Sequence, residues 1–190
     1  MRKLIVFNNV SLDGYFADTR GGMDFARNPR PDAEWQAFVA GNASHSGGMF
    51  IFGRITYEMM AAFWSTPTAA ETMPVVARKM NATPKVVFSR TLDKVSWNNT
   101  RLVKVDLPGE IRKLKQSPGA DMLIFGSGSI IVQLAQEGLI DEYQVVVVPV
   151  VLGAGRSMFE GIKQQLPLKL MKTRSFANGN VVLHYQLEGM

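Results

Sequence analysis

The chain has 190 residues, of which 46% are hydrophobic and 19% charged, a size and composition that predict one globular domain with a sizeable core and argue against disorder. It contains no cysteine, which excludes disulfide bonds, thiolate metal sites and thiol catalysis and makes a cytoplasmic location the expectation. Lys and Arg outnumber Asp and Glu by 21 to 16, a mild excess that would suit an anionic ligand or nucleic acid, although the clustered basic face and stacking aromatics of a nucleic-acid binder are missing. No apolar run is long enough to span a membrane.

Short runs rich in Val, Ile and Phe alternate along the chain with stretches of helical pattern. This alternation predicts an α/β fold with a mostly parallel sheet and helices on both of its faces. The strands are predicted at residues 3–9, 48–52, 85–88, 101–105, 121–125 and 142–148. The helices are predicted at residues 32–43, 55–63, 70–80, 109–115 and 129–137.

The carboxyl-terminal part of the chain has a different pattern. Residues 168–176 and 180–187 both alternate between apolar and polar side chains. Asn178-Gly179 between them is a strong hairpin signal, because both central residues of a tight hairpin turn need a positive φ. We therefore expect an antiparallel hairpin at the end of an otherwise parallel sheet. No linker or internal repeat is visible, so residues 1–190 are expected to form a single domain.

A turn of small residues, Gly126-Ser127-Gly128-Ser129, joins the strand at 121–125 to a predicted helix. Such a turn lets a pyrophosphate approach the backbone, the free N–H groups and the positive dipole end of the helix. The spacing is neither a Rossmann fingerprint nor a P-loop, because the third glycine would fall at Ile131 and no Gly-Lys-Ser/Thr follows. A tight turn in which a serine caps the helix is the alternative interpretation.

Two other strands end in residues that suit a phosphate. Gly53 can adopt an unusual backbone angle, Arg54 can pair with a phosphate, and Thr56 offers a hydroxyl near the free amides of the next helix. Ser89-Arg90 follows the strand at 85–88. Each motif alone also fits a helix cap or a solvated turn. Because ligands of open α/β sheets bind beyond the carboxyl ends of the strands, the three together predict one anion-binding site.

Five motifs in order over nearly the whole chain resemble the superfamily of dihydrofolate reductase and the reductase of riboflavin biosynthesis, and most closely the RibD C-terminal (reductase) domain. The motifs are Ser11-Leu12-Asp13-Gly14-Tyr15-Phe16-Ala17, Gly53-Arg54-Ile55-Thr56-Tyr57-Glu58, Ser89-Arg90, Gly126-Ser127-Gly128-Ser129 and Pro149-Val150-Val151-Leu152-Gly153-Ala154-Gly155. The resemblance implies a dihydrofolate reductase-like fold. It also implies hydride transfer from NADPH to a small polar substrate of pterin or pyrimidine type.

The resemblance assigns roles to residues of this chain. The junction at Gly53, Arg54 and Thr56 would contact the cofactor near its pyrophosphate, and Ser89 and Arg90 would surround the 2′-phosphate. Four further residues would line the pyrophosphate and nicotinamide: Gly126, Ser127, Gly128 and Ser129. No metal site is expected. A homodimer is expected from the resemblance, with the apolar segment 145–152 as a candidate contact, although the same segment also fits a buried strand.

Candidate residues for substrate binding are less clearly marked. Asp13 is expected to face the substrate and to act as the catalytic carboxylate, or else to be a turn residue beside Gly14. Three aromatic side chains either wall an aromatic substrate or belong to the core: Trp35, Phe38 and Trp64.

Two departures from dihydrofolate reductase stand out. Those enzymes have paired glycines with a cis peptide where this chain has Gly126-Ser127, and they place a carboxylate on the helix before the Gly-Arg junction. Asp32 and Glu34 precede that junction here, but neither can be assigned to the role. A folate reductase and a non-catalytic dinucleotide-binding protein therefore stay open as alternatives.

Overall fold

The computed structural model describes residues 1–27, 30–45 and 48–188. The strands are β1 (Leu4–Ser11), β2 (Tyr15–Ala17), β3 (Met49–Gly53), β4 (Lys85–Phe88), β5 (Thr100–Val103), β6 (Met122–Phe125), β7 (Glu142–Val148), β8 (Arg156–Ser157), β9 (Leu168–Ser175) and β10 (Val181–Leu187). The helices are α1 (Ala33–His45), α2 (Arg54–Trp64), α3 (Pro67–Thr72), α4 (Pro74–Ala82), α5 (Leu107–Gln116) and α6 (Gly128–Gln136). Within these ranges no helix is both long and apolar enough to cross a bilayer.

Eight strands form the main sheet in the order β5-β4-β3-β6-β1-β7-β10-β9. The first six are parallel, whereas β10 is antiparallel to both β7 and β9. This mixed sheet confirms the predicted fold class, a mostly parallel sheet that ends in an antiparallel hairpin. Because β4, β3 and β6 are parallel neighbours, the turns that follow them emerge at the same edge of the sheet.

The main sheet has an apolar core on each face. In β3, Phe50 and Phe52 pack with Tyr57 on one face, while Ile51 between them packs with Ile131 on the other. Successive side chains of a strand point to opposite faces, so a continuous apolar run such as β3 is stable only when helices cover both faces. Full burial of each such side chain contributes roughly 1.5–3 kcal/mol.

The predicted helix at 70–80 is wrong in extent. The chain forms two helices here, and each begins with a proline, Pro67 in α3 and Pro74 in α4. Proline lacks an N–H group and has a fixed φ, so it fits the first position of a helix and disrupts the interior. Pro74 therefore ends one helix and begins the next.

The predicted hairpin is confirmed, but its turn differs from the expected one. The N–H of Gly179 donates to the carbonyl of Phe176 at 2.9 Å, which makes Ala177 and Asn178 the central residues. Gly179 alone among these turn residues has a positive φ, 91°. The N–H of Asn178 donates to the carboxylate of Asp32 at 2.9 Å, which ties the hairpin to the start of α1.

The small sheet formed by β2 and β8 was not predicted. It pairs the segment after β1 with the segment after the glycine-rich turn at 153–155. A Cβ on Gly155 would collide with the carbonyl oxygen of Ala17, so the close approach of the two backbones requires glycine. This pairing places Phe16 and Arg156 beside the carboxyl edge of the main sheet.

The segment 145–152, which was predicted as a dimer contact, lies partly inside the sheet. Its first four residues belong to β7, which pairs with β1 on one side and β10 on the other. These residues therefore offer no free strand edge. Val151, beyond the strand, is exposed. The homodimer stays a prediction.

Candidate functional site

Hydrogen bonds join the turns after β3 and β6 directly. The hydroxyl of Ser127 accepts a hydrogen bond from the N–H of Gly53 at 2.9 Å, and it lies 2.9 Å from the hydroxyl of Thr56. The N–H of Gly126 donates to the side-chain oxygen of Asn8 at 2.7 Å. The two predicted junctions are thus one structural unit, anchored to the central strand β1.

The close packing of these turns explains their small residues. Gly126 and Ser127 have positive φ values of 59° and 58°. A Cβ on Gly126 would lie 2.7 Å from the Thr56 hydroxyl oxygen, and one on Gly53 would lie 2.5 Å from the Ser127 hydroxyl oxygen. Glycine is therefore required at both positions. The described residues contain no cis peptide bond, so the peptide between Gly126 and Ser127 is trans, unlike the pattern of dihydrofolate reductases.

Helices α2 and α6 both begin at this unit without a capping side chain. Gly53 is the N-cap of α2, and Ser127, the N-cap of α6, directs its hydroxyl to Gly53 and Thr56 instead of its own helix. The first N–H groups of each helix have no intrahelical acceptor, and the positive ends of both helix dipoles lie here. Such an arrangement suits a ligand with adjacent negative charges, such as a pyrophosphate.

A cleft of about 480 Å³, called here the central cleft, lies in front of the two helix N-termini. Seven of the predicted cofactor-binding residues line it: Gly53, Arg54, Thr56, Ser89, Ser127, Gly128 and Ser129. The guanidinium of Arg54 lies 3.0 Å from the carboxylate of Glu58 in the next turn. Arg156 also lines the cleft and was not predicted, although a cation directly after the glycine-rich turn could have suggested it.

Past the end of β4, the central cleft adjoins a cavity of about 560 Å³, called here the cationic cavity. Ser89 and Ser129 line both spaces. The hydroxyl of Ser89 also accepts a hydrogen bond from the N–H of Leu92 at 3.0 Å, which fixes the shape of the turn. The predicted residues after β4 therefore lie where the two spaces meet.

The charges of the cationic cavity are Arg90, Lys104 and Asp106. Arg90 is exposed and belongs to none of the ion pairs found among the described residues, whereas Lys104 lies 3.6 Å from the exposed Asp93. Asp106 caps α5 by accepting a hydrogen bond from the N–H of Gly109 at 3.0 Å. The guanidinium of Arg90 is thus available to an anion. Lys104 was missed, although it follows the end of β5 as Ser89 follows β4.

At its other end, the central cleft adjoins a cavity of about 300 Å³ between the sheet and helices α1, α2 and α4, called here the apolar cavity. Met23 and Thr56 line both spaces. The remaining lining residues are Phe7, Asn8, Asn9, Ala26, Trp35, Val39, Asn42, Phe50, Met60, Trp64, Met73, Val76, Met80, Leu123, Phe125 and Gly126. Two of the three predicted aromatic side chains, Trp35 and Trp64, are among them. None of these lining residues is charged.

Asp13 does not line any of these three spaces. Its exposed carboxylate accepts hydrogen bonds from the N–H groups of Leu152 at 3.2 Å and Gly153 at 2.7 Å. A hydrogen bond from Ser11, together with these backbone bonds, lowers the pKa of Asp13 below its ordinary value. The geometry describes an anchor between the turn after β1 and the turn after β7, and the catalytic role of Asp13 stays a prediction.

The two carboxylates near the start of α1 do not line the apolar cavity either. Asp32 caps the helix by accepting a hydrogen bond from the N–H of Trp35 at 2.9 Å, and backbone hydrogen bonds of this kind lower its pKa. Glu34 lies 2.6 Å from the guanidinium of Arg174 on β9. Both carboxylates therefore have structural partners, and within the described part of the chain the lining of the apolar cavity has no counterpart of the carboxylate expected in a folate reductase.

Comparison with known proteins places this architecture in a family. Residues 2–182 match the family described as RibD C-terminal domain. The uncharacterised protein YyaP of Bacillus subtilis (strain 168) is 28% identical over 188 residues, which cover 99% of this chain and 96% of YyaP. A crystal structure from Shewanella sp. PV-4, provisionally named a riboflavin biosynthesis protein, has a TM-score of 0.76 and 26% identity, covering 98% of this chain and 99% of that one.

A more distant structure has the same fold. Dihydrofolate reductase of Enterococcus faecalis, solved in complex with NADP(H), has a TM-score of 0.63 at 12% identity, covering 98% of this chain and 96% of the enzyme. At this identity the likeness concerns the fold alone. The chain has a dihydrofolate reductase-like fold and belongs to the RibD C-terminal domain family.

Proposed function

We propose that this protein is an NADPH-dependent reductase that acts on a small organic substrate bound in the apolar cavity. The observation that carries the proposal is that three spaces beside the carboxyl edge of the sheet adjoin one another through shared lining residues. The cationic cavity contains Arg90 and Lys104, the central cleft lies at two helix N-termini, and the third space is apolar. An extended NADPH molecule has matching groups in the same order: the 2′-phosphate, the pyrophosphate and the nicotinamide next to the substrate.

The residues at the centre of the path fit the dinucleotide. The uncapped N-termini of α2 and α6 would bind the pyrophosphate through backbone N–H groups. The hydroxyls of Thr56 and Ser127, which bond to each other, would keep the two turns in register. Gly126, which lines the apolar cavity beside Thr56, would lie near the nicotinamide. When bound, the nicotinamide supplies the hydride, and the protein supplies position and electrostatics.

The cations at the other end favour NADPH over NADH. Arg90 would bind the 2′-phosphate with charge-assisted hydrogen bonds, and Lys104 would contribute a second positive charge. A hydrogen bond to a charged group is worth about 1.5–3 kcal/mol, which corresponds to roughly a 10- to 100-fold preference. NADH lacks the phosphate and would gain nothing from Arg90.

The test is a fluorescence titration of NADPH and NADH against the wild type and two variants. Arg90→Ala should remove most of the preference for NADPH. Arg112→Ala is the matched control, because Arg112 is an exposed arginine that pairs with Glu137 at 2.6 Å and lines none of the three spaces. It should leave both affinities unchanged. Equal affinities of the wild type for the two nucleotides would remove the role assigned to Arg90.

A dinucleotide-binding protein without catalysis is the second candidate. It is favoured by the apolar cavity, because its lining, among the described residues, includes no carboxylic acid that could protonate a substrate. Binding of NADPH without any oxidation across a panel of pterins, pyrimidines and quinones would support it. A folate reductase is a weaker candidate for the same reason, since Asp32 and Glu34 have structural partners elsewhere.

A further inference from the structure

The lining of the apolar cavity restricts the charge of its ligand. Two tryptophans and four methionines contribute to it, and none of the lining residues that the structure describes is charged: the set includes Trp35, Trp64, Met23, Met60, Met73 and Met80. Moving an ionised group from water into such a space without a partner is strongly unfavourable. Phosphorylated substrates, and protonated pterins that need a carboxylate partner, are therefore poorly matched to this cavity.

The polar side chains of the cavity fall into two groups. The amide of Asn8 bonds to the N–H of Gly126 and to the sulfur of Met158, and Thr56 bonds to Ser127, so these polar groups already have partners within the protein. Asn9 and Asn42 are different, because neither side chain has a hydrogen-bond partner among the described residues. An amide offers two N–H donors and one acceptor, which suits a neutral carbonyl group.

The described lining of the apolar cavity contains no acid, which restricts the kind of carbonyl compound that can be reduced there. Among the residues that the structure describes, the lining includes no Asp, Glu, His, Lys or Tyr, so in this proposal the proton that completes the reduction comes from water. Hydride addition to an isolated ketone gives a strongly basic alkoxide. Addition to a quinone gives a phenolate-type anion, whose conjugate acid has a pKa of about 10, as for tyrosine. Such an anion forms readily without a proton donor at the site.

From these three features, and resting on the proposed reductase function, we propose that the substrate is an uncharged cyclic conjugated carbonyl compound of the quinone type. Asn9 and Asn42 bind its carbonyl oxygens, and the tryptophans and methionines bind its ring. The quinone receives a hydride, with two electrons, from NADPH and one proton from water, which yields the hydroquinone and NADP⁺. Flexible methionine side chains adapt to ligands of different shape, so several small rings are accepted.

The test compares 1,4-naphthoquinone with its 2-sulfonate, which has the same ring system and adds a permanent negative charge. Each is titrated calorimetrically into protein saturated with NADP⁺, so that binding is measured without turnover. We expect the sulfonate to bind more than about tenfold more weakly, because its charge has no partner in the cavity. The chain has no cysteine, so the fast addition of a thiol to the quinone does not interfere with the titration.

Two variants test the residues that recognise the carbonyl. Asn9→Ala and Asn42→Ala should each weaken binding of naphthoquinone by roughly three- to tenfold, the loss of one hydrogen bond, with unchanged NADP⁺ affinity. Asn98→Ala is the matched control, because Asn98 is exposed and does not line the cavity. It should bind both ligands as the wild type does.

The outcomes separate this inference from the proposed function. If NADP⁺ itself does not bind, the proposed function fails and the inference fails with it. If NADP⁺ binds but the sulfonate binds as tightly as the neutral quinone, or the asparagine variants have no effect, the substrate class is overturned while the dinucleotide site stands. Oxidation of NADPH by naphthoquinone but not by dihydrofolate would complete the support for the inference.

Discussion

The hydroxyl groups of Thr56 and Ser127 lie 2.9 Å apart and join the first turns of two helices that follow different strands. Thr56 belongs to α2, and Ser127 is the N-cap of α6. Because both helix N-termini face the central cleft, this contact fixes the relative position of the two groups of N–H donors. We therefore expect it to influence both stability and dinucleotide affinity.

Replacing Thr56 tests this contact with two closely matched side chains. Thr56→Val keeps the shape but loses the hydroxyl, whereas Thr56→Ser keeps the hydroxyl. The valine variant should lose about 0.5–1.5 kcal/mol of unfolding free energy, the net worth of a hydrogen bond, and should bind NADPH several-fold more weakly. Urea denaturation and NADPH titration measure the two effects. Identical behaviour of the two variants would show that the hydroxyl contact is unimportant.

Substitution of Gly126 tests the close packing of the two turns. Gly126→Ala places a methyl group 2.7 Å from the Thr56 hydroxyl oxygen, in a backbone with φ of 59°. Gly138→Ala is the control, because Gly138 has a φ of 61° but no atom within 4 Å of the added Cβ. Both variants should lose about 1–2 kcal/mol through backbone strain. Only Gly126→Ala should lose NADPH affinity, by more than about tenfold, and equal affinities would contradict this.

Asp13→Asn distinguishes an anchor from a proton donor. The two carboxylate oxygens accept from Leu152 and Gly153, so an asparagine would turn its own N–H₂ towards one of these N–H donors. We expect a lower melting temperature with little change in the pH dependence of the reductase rate. The lowered pKa of Asp13 agrees with this, because the group is ionised at neutral pH. A large fall in kcat at unchanged melting temperature would support the catalytic role instead.

The ionisation of Glu142 on β7 should make the free energy of unfolding depend on pH. Burial alone would raise the pKa of Glu142, but hydrogen bonds from Lys3, His184 and Gln186 together bring it below its ordinary value of 4.5. A lowered pKa in the folded state means that the carboxylate stabilises the protein above about pH 4.5 and that this contribution is lost as the pH falls through the folded value.

The variant Glu142→Gln should therefore be less stable than the wild type at neutral pH, by roughly 1.5–3 kcal/mol for the lost charged hydrogen bonds. The difference should shrink progressively once the pH is below about 4.5. Denaturant unfolding of both proteins over a range of pH measures it. A difference that is independent of pH would show that ionisation of Glu142 does not contribute.

The half of the site proposed to bind phosphate could be found from the sequence because its residues follow strands directly. Gly53, Ser89 and Gly126 each come after a short apolar run, and parallel strands bring their carboxyl ends to one edge. The structure shows in addition that β4, β3 and β6 are neighbours in the sheet, so the turns that follow them lie close together. The β2 and β8 pairing could not be found in this way, because strands of three and two residues are too short to have a periodicity.

The half proposed to bind the substrate could not be predicted for a different reason. Asn9, Asn42 and Met73 come from β1, α1 and the start of α4, and no spacing in the sequence links them. Only tertiary packing brings them together. Tertiary packing also places the carboxylate of Asp13 where it anchors two backbone N–H groups. The motif Ser-Leu-Asp-Gly alone does not distinguish such an anchor from a catalytic carboxylate.

Amide hydrogen exchange with and without NADPH tests most directly whether the three separate turns form one dinucleotide site. Bound NADPH should slow exchange at residues 53–56, 89–90 and 126–129 together, with no change in the β9 and β10 hairpin, which lines none of the three spaces. Protection confined to one of these turns, or found on another face of the protein, would contradict the account.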